Sequence, residues 1–266
     1  MQQTSSTHRS LHRAVAILRE FTETEPALTV GEISDRLDLH KSTVSRILGA
    51  LLEEGMVWHN PQTGRYSLGM SVLEMAGVAL GQIDVRAAAL PHMEQLGATT
   101  SETIALVVRR DREGVTVAHI PSTLPIRHVV WIGRRVPLRT TAAGKVFLAA
   151  LHSRGEDWRG LAGNPGEVRS PERDERLGAE LADIAERGYA SEENEFEQGT
   201  AAIAAPIVDR TGIPIAALSI SGPAARFDSE ARDAAAMPLI DEAAGIAADL
   251  DGRSNQVLAE DQRQAG

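Results

Sequence analysis

The chain has 266 residues, of which 42% are hydrophobic, and its net charge is −10. It contains no cysteine, which excludes disulfide bridges, thiolate metal sites and cysteine nucleophiles. No apolar run reaches the ~20 residues that a membrane-spanning helix needs, and the N-terminal MQQTSSTHRS has no apolar signal-peptide core. These features predict a cytoplasmic protein that does not contact membranes and is long enough for two domains.

The N-terminal part predicts three short helices after a disordered start at residues 1–9. The first is expected over 10–21. Thr29 and Glu32 have the spacing of a capping box, which predicts the start of the second helix. A turn at 38–41 follows, and Ser42 is the expected N-cap of the third helix. The apolar residues of the third helix share one face: Val44, Ile47, Leu48, Leu51 and Leu52.

The opposite face of the third helix is small, polar or basic, which suits entry into a DNA major groove. A short hairpin is predicted around the turn at 60–64. The order helix–turn–helix–hairpin predicts a winged helix-turn-helix domain over 1–69, with an ordinary helical hairpin bearing a solvated face as the alternative. We expect contacts to double-stranded DNA from Ser42, Thr43, Ser45 and Arg46, with Lys41 and Arg65 as flanking phosphate contacts.

The charge distribution is compatible with DNA binding at one end of the chain only. Residues 1–68 carry seven Lys and Arg against eight Asp and Glu, and the acidic excess lies in the remainder. Phosphate attraction depends on charges within about a Debye length (~8–10 Å), so the basic groups near the helix and hairpin outweigh the net charge. The rest of the chain is not expected to touch nucleic acid.

A helical linker over 70–83 is predicted to lead into an α+β domain over 84–250, followed by a flexible tail over 251–266. Antiparallel strands with helices around them are typical of the α+β class. The predicted strands are 102–109, 115–120, 127–133, 202–208 and 213–221, and the main predicted helices are 84–97, 141–151, 171–187 and 228–250.

Several segments together resemble the IclR family of bacterial transcriptional regulators. They are SLHRAVAILREF, LHKSTVSRILGALLEEGMV and RYSLG in the first domain, and VPLRTTAAGKVFLA, GYASEENEFEQGTAAIAAPIVD and IAALSISGP in the second. The resemblance covers about 9–250. It implies a GAF-like effector-binding domain and dimers joined through their N-terminal parts, which often pair into tetramers.

The sequence departs from the family pattern at three positions. Ala143 stands where leucine is frequent, Arg139 where a histidine often precedes the TTAAGK segment, and Ala202 where a cysteine often precedes IAAP. The second and third of these lie near the implied effector cavity. The identity of the effector therefore cannot be carried over from relatives.

The resemblance also implies which residues surround the effector. They are His128, Val130, Trp131, Arg139, Ala142, Ala143, Gly144, Glu192, Ala202, Ser219 and Ser221. The helix start at 142–144 offers backbone N–H groups to an anion, and the two serines face one side of a strand. The expected effector is a small organic acid, such as an aromatic or keto acid. Because Glu192 would repel a carboxylate, an amide or a similar neutral compound is the alternative.

Some of these residues also have purely structural interpretations. Trp131 fits core packing or an interface, His128 a surface histidine, and Lys145 a solvated helix lysine. Ser219 and Ser221 fit ordinary strand positions.

We therefore predict a homodimeric or tetrameric regulator, a repressor rather than an activator, that binds a palindromic operator and responds to a small molecule. The alternative is an enzyme acting on a small acid or amide, with the winged helix as an appended partner-binding module. The sequence lacks a phosphate-binding loop motif at Lys145, HExxH and GxSxG motifs, and histidines at metal-ligand spacing. No cofactor and no metal are expected.

Overall fold

The computed structural model describes residues 3–162 and 170–264, and the chain divides into two compact units, Met1–Gln82 and Ile83–Gly266. The elements of the first unit are α1 (Gln3–Arg19), β1 (Ala27–Leu28), α2 (Val30–Leu37), α3 (Lys41–Glu53), β2 (Val57–Asn60), β3 (Arg65–Leu68) and α4 (Met70–Gly81). No helix among the described residues is long and apolar enough to cross a membrane.

The first unit is a helix-turn-helix with a small antiparallel sheet in the order β1-β3-β2. Its core joins α1, α2, α3 and the strands through Ile17, Leu28, Ile33, Val44, Leu48 and Val57. The capping box is confirmed: the Thr29 hydroxyl accepts the Glu32 N–H at 3.2 Å, and the Glu32 carboxylate accepts the Thr29 N–H at 2.7 Å. The capping box fixes the start of α2. Because α2 and α3 share one core, it also helps to fix the orientation of α3.

Three local predictions in this unit are wrong. The turn between α2 and α3 has three residues, because Asp38 takes a left-handed conformation (φ 51°) that reverses the chain at once. Helix α3 therefore starts at Lys41, and His40 rather than Ser42 holds the N-cap position. Helix α1 begins at Gln3 instead of residue 10, since neither glycine nor proline interrupts 3–19. Residues 1 and 2 lie outside the described range.

The second unit begins at Ile83 and is built on a six-stranded antiparallel sheet in the order β6-β5-β4-β9-β8-β7. Its elements are α5 (Asp84–Thr100), β4 (Thr103–Arg110), β5 (Glu113–Ile120), β6 (Arg135–Pro137), α6 (Ala142–Ser153), α7 (Arg159–Ala162), α8 (Pro171–Arg187), β7 (Ala190–Glu193), β8 (Thr200–Val208), β9 (Pro214–Pro223) and α9 (Ser229–Gln264). Helices α5 and α9 pack on one sheet face, and α6 packs on the other with α8 outside it. The predicted α+β class is confirmed.

The first turn of α6 lies unusually close to the chain that precedes it. A Cβ atom at Gly144 would come within 2.4 Å of the Leu138 Cα, so only glycine fits this contact without a backbone shift. Side chains on the same sheet face complete the packing, with Val107 and Ala217 in one cluster with Phe147. This contact sets the position of the helix start against the sheet.

Two predicted segments of the second unit differ from the structure. Residues 127–133 form a loop instead of a strand, because side chains satisfy its backbone: the Thr103 hydroxyl donates to the His128 carbonyl at 2.8 Å, and Arg134 donates to the Val129 carbonyl at 2.9 Å. The predicted tail at 251–266 is helical as far as Gln264, since 253–264 contain no glycine or proline. Residues 265–266 lie outside the described range.

Candidate functional site

The polar face of α3 is open to solvent, as its sequence pattern predicts. Lys41, Ser42, Ser45 and Arg46 are exposed and Thr43 is half-buried, while Val44 and Leu48 on the other side belong to the core. No ion pair within the described residues involves Lys41 or Arg46. Both cations on this face are therefore available to an external anion.

Arg65, the sixth predicted DNA contact, is already bonded within the unit. Its guanidinium donates to the Ala27 carbonyl at 2.7 Å and to the Glu32 carboxylate at 3.0 Å. The bonds from Thr29, and after them the one from Arg65, hold the pKa of the Glu32 carboxyl below its ordinary value. Arg65 thus ties β3 to the start of α2. Its side chain remains 42% exposed, so a phosphate contact would compete with Glu32.

Helix α4 presents an apolar surface without partners in the described chain. None of its residues is buried, and Met70, Leu73, Met75 and Val78 are all more than half exposed. Several large apolar side chains exposed together on one helix are typical of a site of association.

The second unit contains a cavity between the sheet and the start of α6. The cavity has a volume of about 50 Å³ and is partly open to solvent. The residues around it are Ala105, Val107, Thr116, His128, Val130, Arg134, Val136, Thr141, Ala142, Ala143, Glu192, Phe196, Ala202, Ser219 and Ser221. Seven of these fifteen residues are alanine or valine, seven are polar or charged, and the remaining one is Phe196, so the cavity combines apolar wall with hydrogen-bonding groups.

Eight of the eleven residues expected at the effector line this cavity: His128, Val130, Ala142, Ala143, Glu192, Ala202, Ser219 and Ser221. The other three do not. Gly144 packs on Leu138 and its N–H is bonded to the Thr141 hydroxyl at 3.1 Å. Arg139 pairs with Asp174 at 2.8 Å, and the Trp131 ring covers the Arg134 guanidinium from outside.

Two family profiles account for nearly the whole described chain. The IclR helix-turn-helix domain matches residues 10–61, and the family described as bacterial transcriptional regulator IclR C-terminal matches residues 77–248. The chain belongs to the IclR family of bacterial transcriptional regulators. This membership makes it a regulator rather than an enzyme.

Individual relatives agree with the family assignment. The HTH-type transcriptional regulator XynR of Escherichia coli K12 is 34% identical over 225 residues, which cover 83% of this chain and 88% of XynR. KdgR of the same organism is 36% identical over 225 residues, covering 83% and 84%. An IclR homolog from Microbacterium hydrocarbonoxydans, solved in complex with 4-hydroxybenzoate, has a TM-score of 0.77 at 27% identity and covers 91% of this chain and 99% of its own.

Within this IclR-family domain, the helix start offers two backbone donors to the cavity. The Gly144 N–H is taken by Thr141, and the Lys145 N–H by the Thr141 carbonyl at 2.9 Å. The N–H groups of Ala142 and Ala143, in the first turn of the helix, have no partner among the described residues. The positive end of the helix dipole lies at the same place.

Lys145 has a structural role, which corrects its interpretation as a solvated lysine. Its side chain is 1% exposed, and its ammonium lies 2.6 Å from a carboxylate oxygen of both Glu180 and Glu195. A buried ammonium needs such partners because desolvation is costly. The three residues join α6 to α8 and to the loop that follows β7.

Glu192 is buried in the cavity wall. Loss of solvation on burial raises the pKa of its carboxyl to about 7, although the backbone N–H of Glu195 donates to it at 3.2 Å and favours the charged form. A carboxyl with this pKa is protonated in a large fraction of molecules at neutral pH. In that form it donates a hydrogen bond instead of repelling a carboxylate.

Several cavity residues were not predicted from the sequence. Thr116 and Thr141 add hydroxyls, Phe196 adds a ring, and Arg134 adds a charge. Alternation along the strand could have identified Thr116, which faces the same side as Val107. Nothing in the local sequence pattern distinguishes Arg134 from its neighbour Arg135.

We predict that Glu192→Gln changes how stability depends on pH. A raised pKa in the folded state gives a stabilisation that is complete below the unfolded value of 4.5 and is lost as the pH rises through about 7. The variant lacks this loss, so its free energy of unfolding relative to the natural chain should increase by up to about 3 kcal/mol between about pH 5 and about pH 8. Urea denaturation across this range measures the difference.

The matched control is Glu193→Gln, which removes the exposed carboxylate of the next residue. Its stability should change with pH in parallel with the natural chain. If the stability of Glu192→Gln also changed with pH in parallel with that of the natural chain, the raised pKa of Glu192 would be contradicted.

Proposed function

We propose that the protein is a cytoplasmic homodimeric repressor that binds a palindromic operator through α3 and changes its operator affinity when a small organic acid enters the cavity. The observation that carries the proposal is the pairing, in one chain, of an unpartnered basic and polar helix face with a separate cavity rich in hydrogen-bond donors. We propose a repressor rather than an activator, because repression requires only that the bound protein cover its operator. Activation would also require a surface that contacts RNA polymerase.

The α3 face supports sequence reading in a major groove. Ser42, Thr43, Ser45 and Arg46 are short or flexible polar groups, and Lys41 lies at the first turn, where it can reach a phosphate. Arg46 is the one member able to form a bidentate contact to a guanine edge. We assign base reading to Arg46 and backbone contact to Lys41, with Arg65 contributing mainly by positioning β3.

Arg46→Ala should reduce affinity for a duplex selected by the natural protein from a random library by about 1–3 kcal/mol, and should relax base preference at one position. Arg36→Ala is the control, because Arg36 lies on α2, outside the proposed face. Its guanidinium pairs with the Glu25 carboxylate at 2.6 Å. Gel-shift titrations report both effects. Unchanged affinity for Arg46→Ala would show that α3 meets DNA through other residues.

A second copy of the chain is the proposed partner of α4. One winged-helix unit reads only a short site, and two copies related by a two-fold axis read half-sites about one helical turn (~34 Å) apart or a multiple of it. The exposed Met70, Leu73 and Val78 supply the apolar area that such an association buries. The mass measured by sedimentation equilibrium also decides whether two dimers pair into a tetramer.

Leu73→Glu should convert the assembly to smaller species, because association would bury an unpaired carboxylate. Sedimentation equilibrium at micromolar concentration measures the mass. Ile213→Glu is the control, since it places the same charge on an exposed apolar residue in the second unit. A natural chain that sediments as a monomer, or a Leu73→Glu variant with unchanged mass, would contradict the proposed interface.

The cavity supports an acid, or a neutral compound with a carbonyl, as effector. The free N–H groups of Ala142 and Ala143 and protonated Glu192 can donate hydrogen bonds to a ligand oxygen. The hydroxyls of Ser219 and Ser221 can do so by exchanging their present partners, the Ala105 carbonyl and the His128 ring. The small side chains leave room for a flat or short ligand. The related structure with bound 4-hydroxybenzoate supports an aromatic acid, and a keto acid or an amide satisfies the same donors.

The double variant Ser219→Ala/Ser221→Ala should lose at least about tenfold in affinity for those among benzoate, 4-hydroxybenzoate, pyruvate and benzamide that bind the natural chain, because two donors are removed. Operator affinity without ligand should stay the same. Ser153→Ala, at the far end of α6, is the control. Isothermal titration calorimetry and gel shifts measure the two affinities, and a full ligand response in the double variant would remove the serines from the site.

A further inference from the structure

Arg134 carries the one permanent positive charge among the residues that line the cavity. Its side chain is 8% exposed. The guanidinium lies 4.5 Å from the centre of the Trp131 ring and 4.9 Å from that of Phe196, and it donates to the Val129 carbonyl at 2.9 Å. These contacts fix the plane of the guanidinium, so its remaining donors have a defined direction.

The counter-ion of Arg134 is Glu197, in the loop between β7 and β8. The burial of the two partners is unequal: the side chain of Glu197 is 41% exposed, against 8% for Arg134. The buried cation requires an anion at all times, because its charge is cut off from water. The exposed carboxylate can return to water at little cost.

His128 lies beside the Arg134–Glu197 ion pair and cannot form favourable hydrogen bonds to both of its members. Its Nε2 lies 3.0 Å from the Glu197 carboxylate and 3.2 Å from the Arg134 guanidinium, and its Nδ1 lies 2.8 Å from the Ser221 hydroxyl. Burial lowers the pKa of His128, which favours the neutral ring with one N–H. Nε2 can then donate to the carboxylate or accept from the guanidinium, but not both. One of the two contacts of Nε2, to Glu197 or to Arg134, is therefore always unfavourable.

The backbone around Glu197 is held independently of its side chain. The Glu197 carbonyl accepts from the Thr200 hydroxyl at 2.8 Å, the Asn194 N–H donates to the Thr200 carbonyl at 2.8 Å, and the Gly199 N–H donates to the Asn194 side chain at 2.6 Å. Rotation about side-chain bonds can therefore move the Glu197 carboxylate away without opening the loop.

We propose that Arg134 binds the carboxylate of the effector and that Glu197 is a resident counter-ion which this carboxylate replaces. The inference rests on the proposed effector function and makes the ligand class narrower. With the carboxylate on Arg134, the Ala142 and Ala143 N–H groups remain for a second oxygen on the ligand. The class is a small hydroxy- or oxo-carboxylate, aliphatic or aromatic, whose body lies against the alanine-rich wall.

The experiment compares the natural chain with Glu197→Gln, Arg134→Gln and Glu193→Gln. Glu193→Gln is the matched control, because it removes an exposed carboxylate from another largely buried arginine, Arg232, which does not line the cavity. The probes are benzoate, 4-hydroxybenzoate and pyruvate, with benzamide as the neutral comparison. Calorimetry gives the affinities, and the ligand-induced rise in unfolding temperature gives a second readout.

Glu197→Gln should bind at least one of the carboxylates about tenfold more tightly than the natural chain, because the competing anion is gone. Benzamide affinity should change by less than about twofold, and Glu193→Gln should bind the carboxylates like the natural chain. Arg134→Gln should lose the carboxylate affinity. If Arg134→Gln does not fold, the Glu197→Gln comparison alone decides.

Carboxylate affinity that is unchanged, weaker or undetectable in Glu197→Gln would overturn the inference, as would an equal gain for benzamide. Operator affinity measured on the same samples separates this result from the proposed function. If carboxylates bind in the expected pattern and no ligand alters DNA binding, Arg134 keeps its role and the proposed regulation fails. If ligands alter DNA binding regardless of Glu197, the regulation stands and the exchange is wrong.

Discussion

The burial of one ammonium group determines how the cavity is built. Lys145 follows the glycine that lets α6 approach the sheet, and its charge has no access to water, so Glu180 and Glu195 must remain beside it. This requirement holds α8 and the β7–β8 loop against the start of α6. The loop places Phe196 at the cavity and Glu197 beside Arg134, and the backbone N–H of Glu195 reaches Glu192. The lysine that resembles a phosphate-binding residue in the sequence is thus the centre of a structural ion-pair network.

The sequence predicts the fold well where local chemistry and tertiary packing agree. The Thr29 capping box and the apolar face of α3 are examples, since each pattern is satisfied by contacts within a few residues or within one small core. It fails at 127–133, where the continuous apolar run Val129–Ile132 favours a strand. There, bonds from Thr103 and Arg134 satisfy the backbone that a neighbouring strand would otherwise pair. Such bonds come from residues distant in sequence or from outside the segment, and no local pattern reports them.

The same limit applies to the site. Ser219 and Ser221 could be predicted because strand alternation and family resemblance point to the same face. Arg134 could not, because it sits beside Arg135, and only the fold shows that one is buried against rings while the other is exposed and pairs with Glu113. The raised pKa of Glu192 could not be predicted either, since it depends on loss of solvation where the fold buries this carboxyl. Residue types were predictable, and their charge states and partners were not.

A cavity that already holds a cation and its counter-ion responds to a ligand in a particular way. An anionic ligand that took the place of Glu197 on Arg134 would leave the charge balance around the buried guanidinium unchanged, so burial of the ligand's charge would cost little. The net electrostatic change would then appear at the loop, where one carboxylate moves from a paired to a solvated position. Coupling between sites in regulators is typically about 1–3 kcal/mol, which is the scale of a single partly exposed ion pair rearranged at a domain surface. Such an exchange regulates DNA binding only when the two positions of the Glu197 side chain belong to states of the protein that differ in operator affinity as well as in ligand affinity.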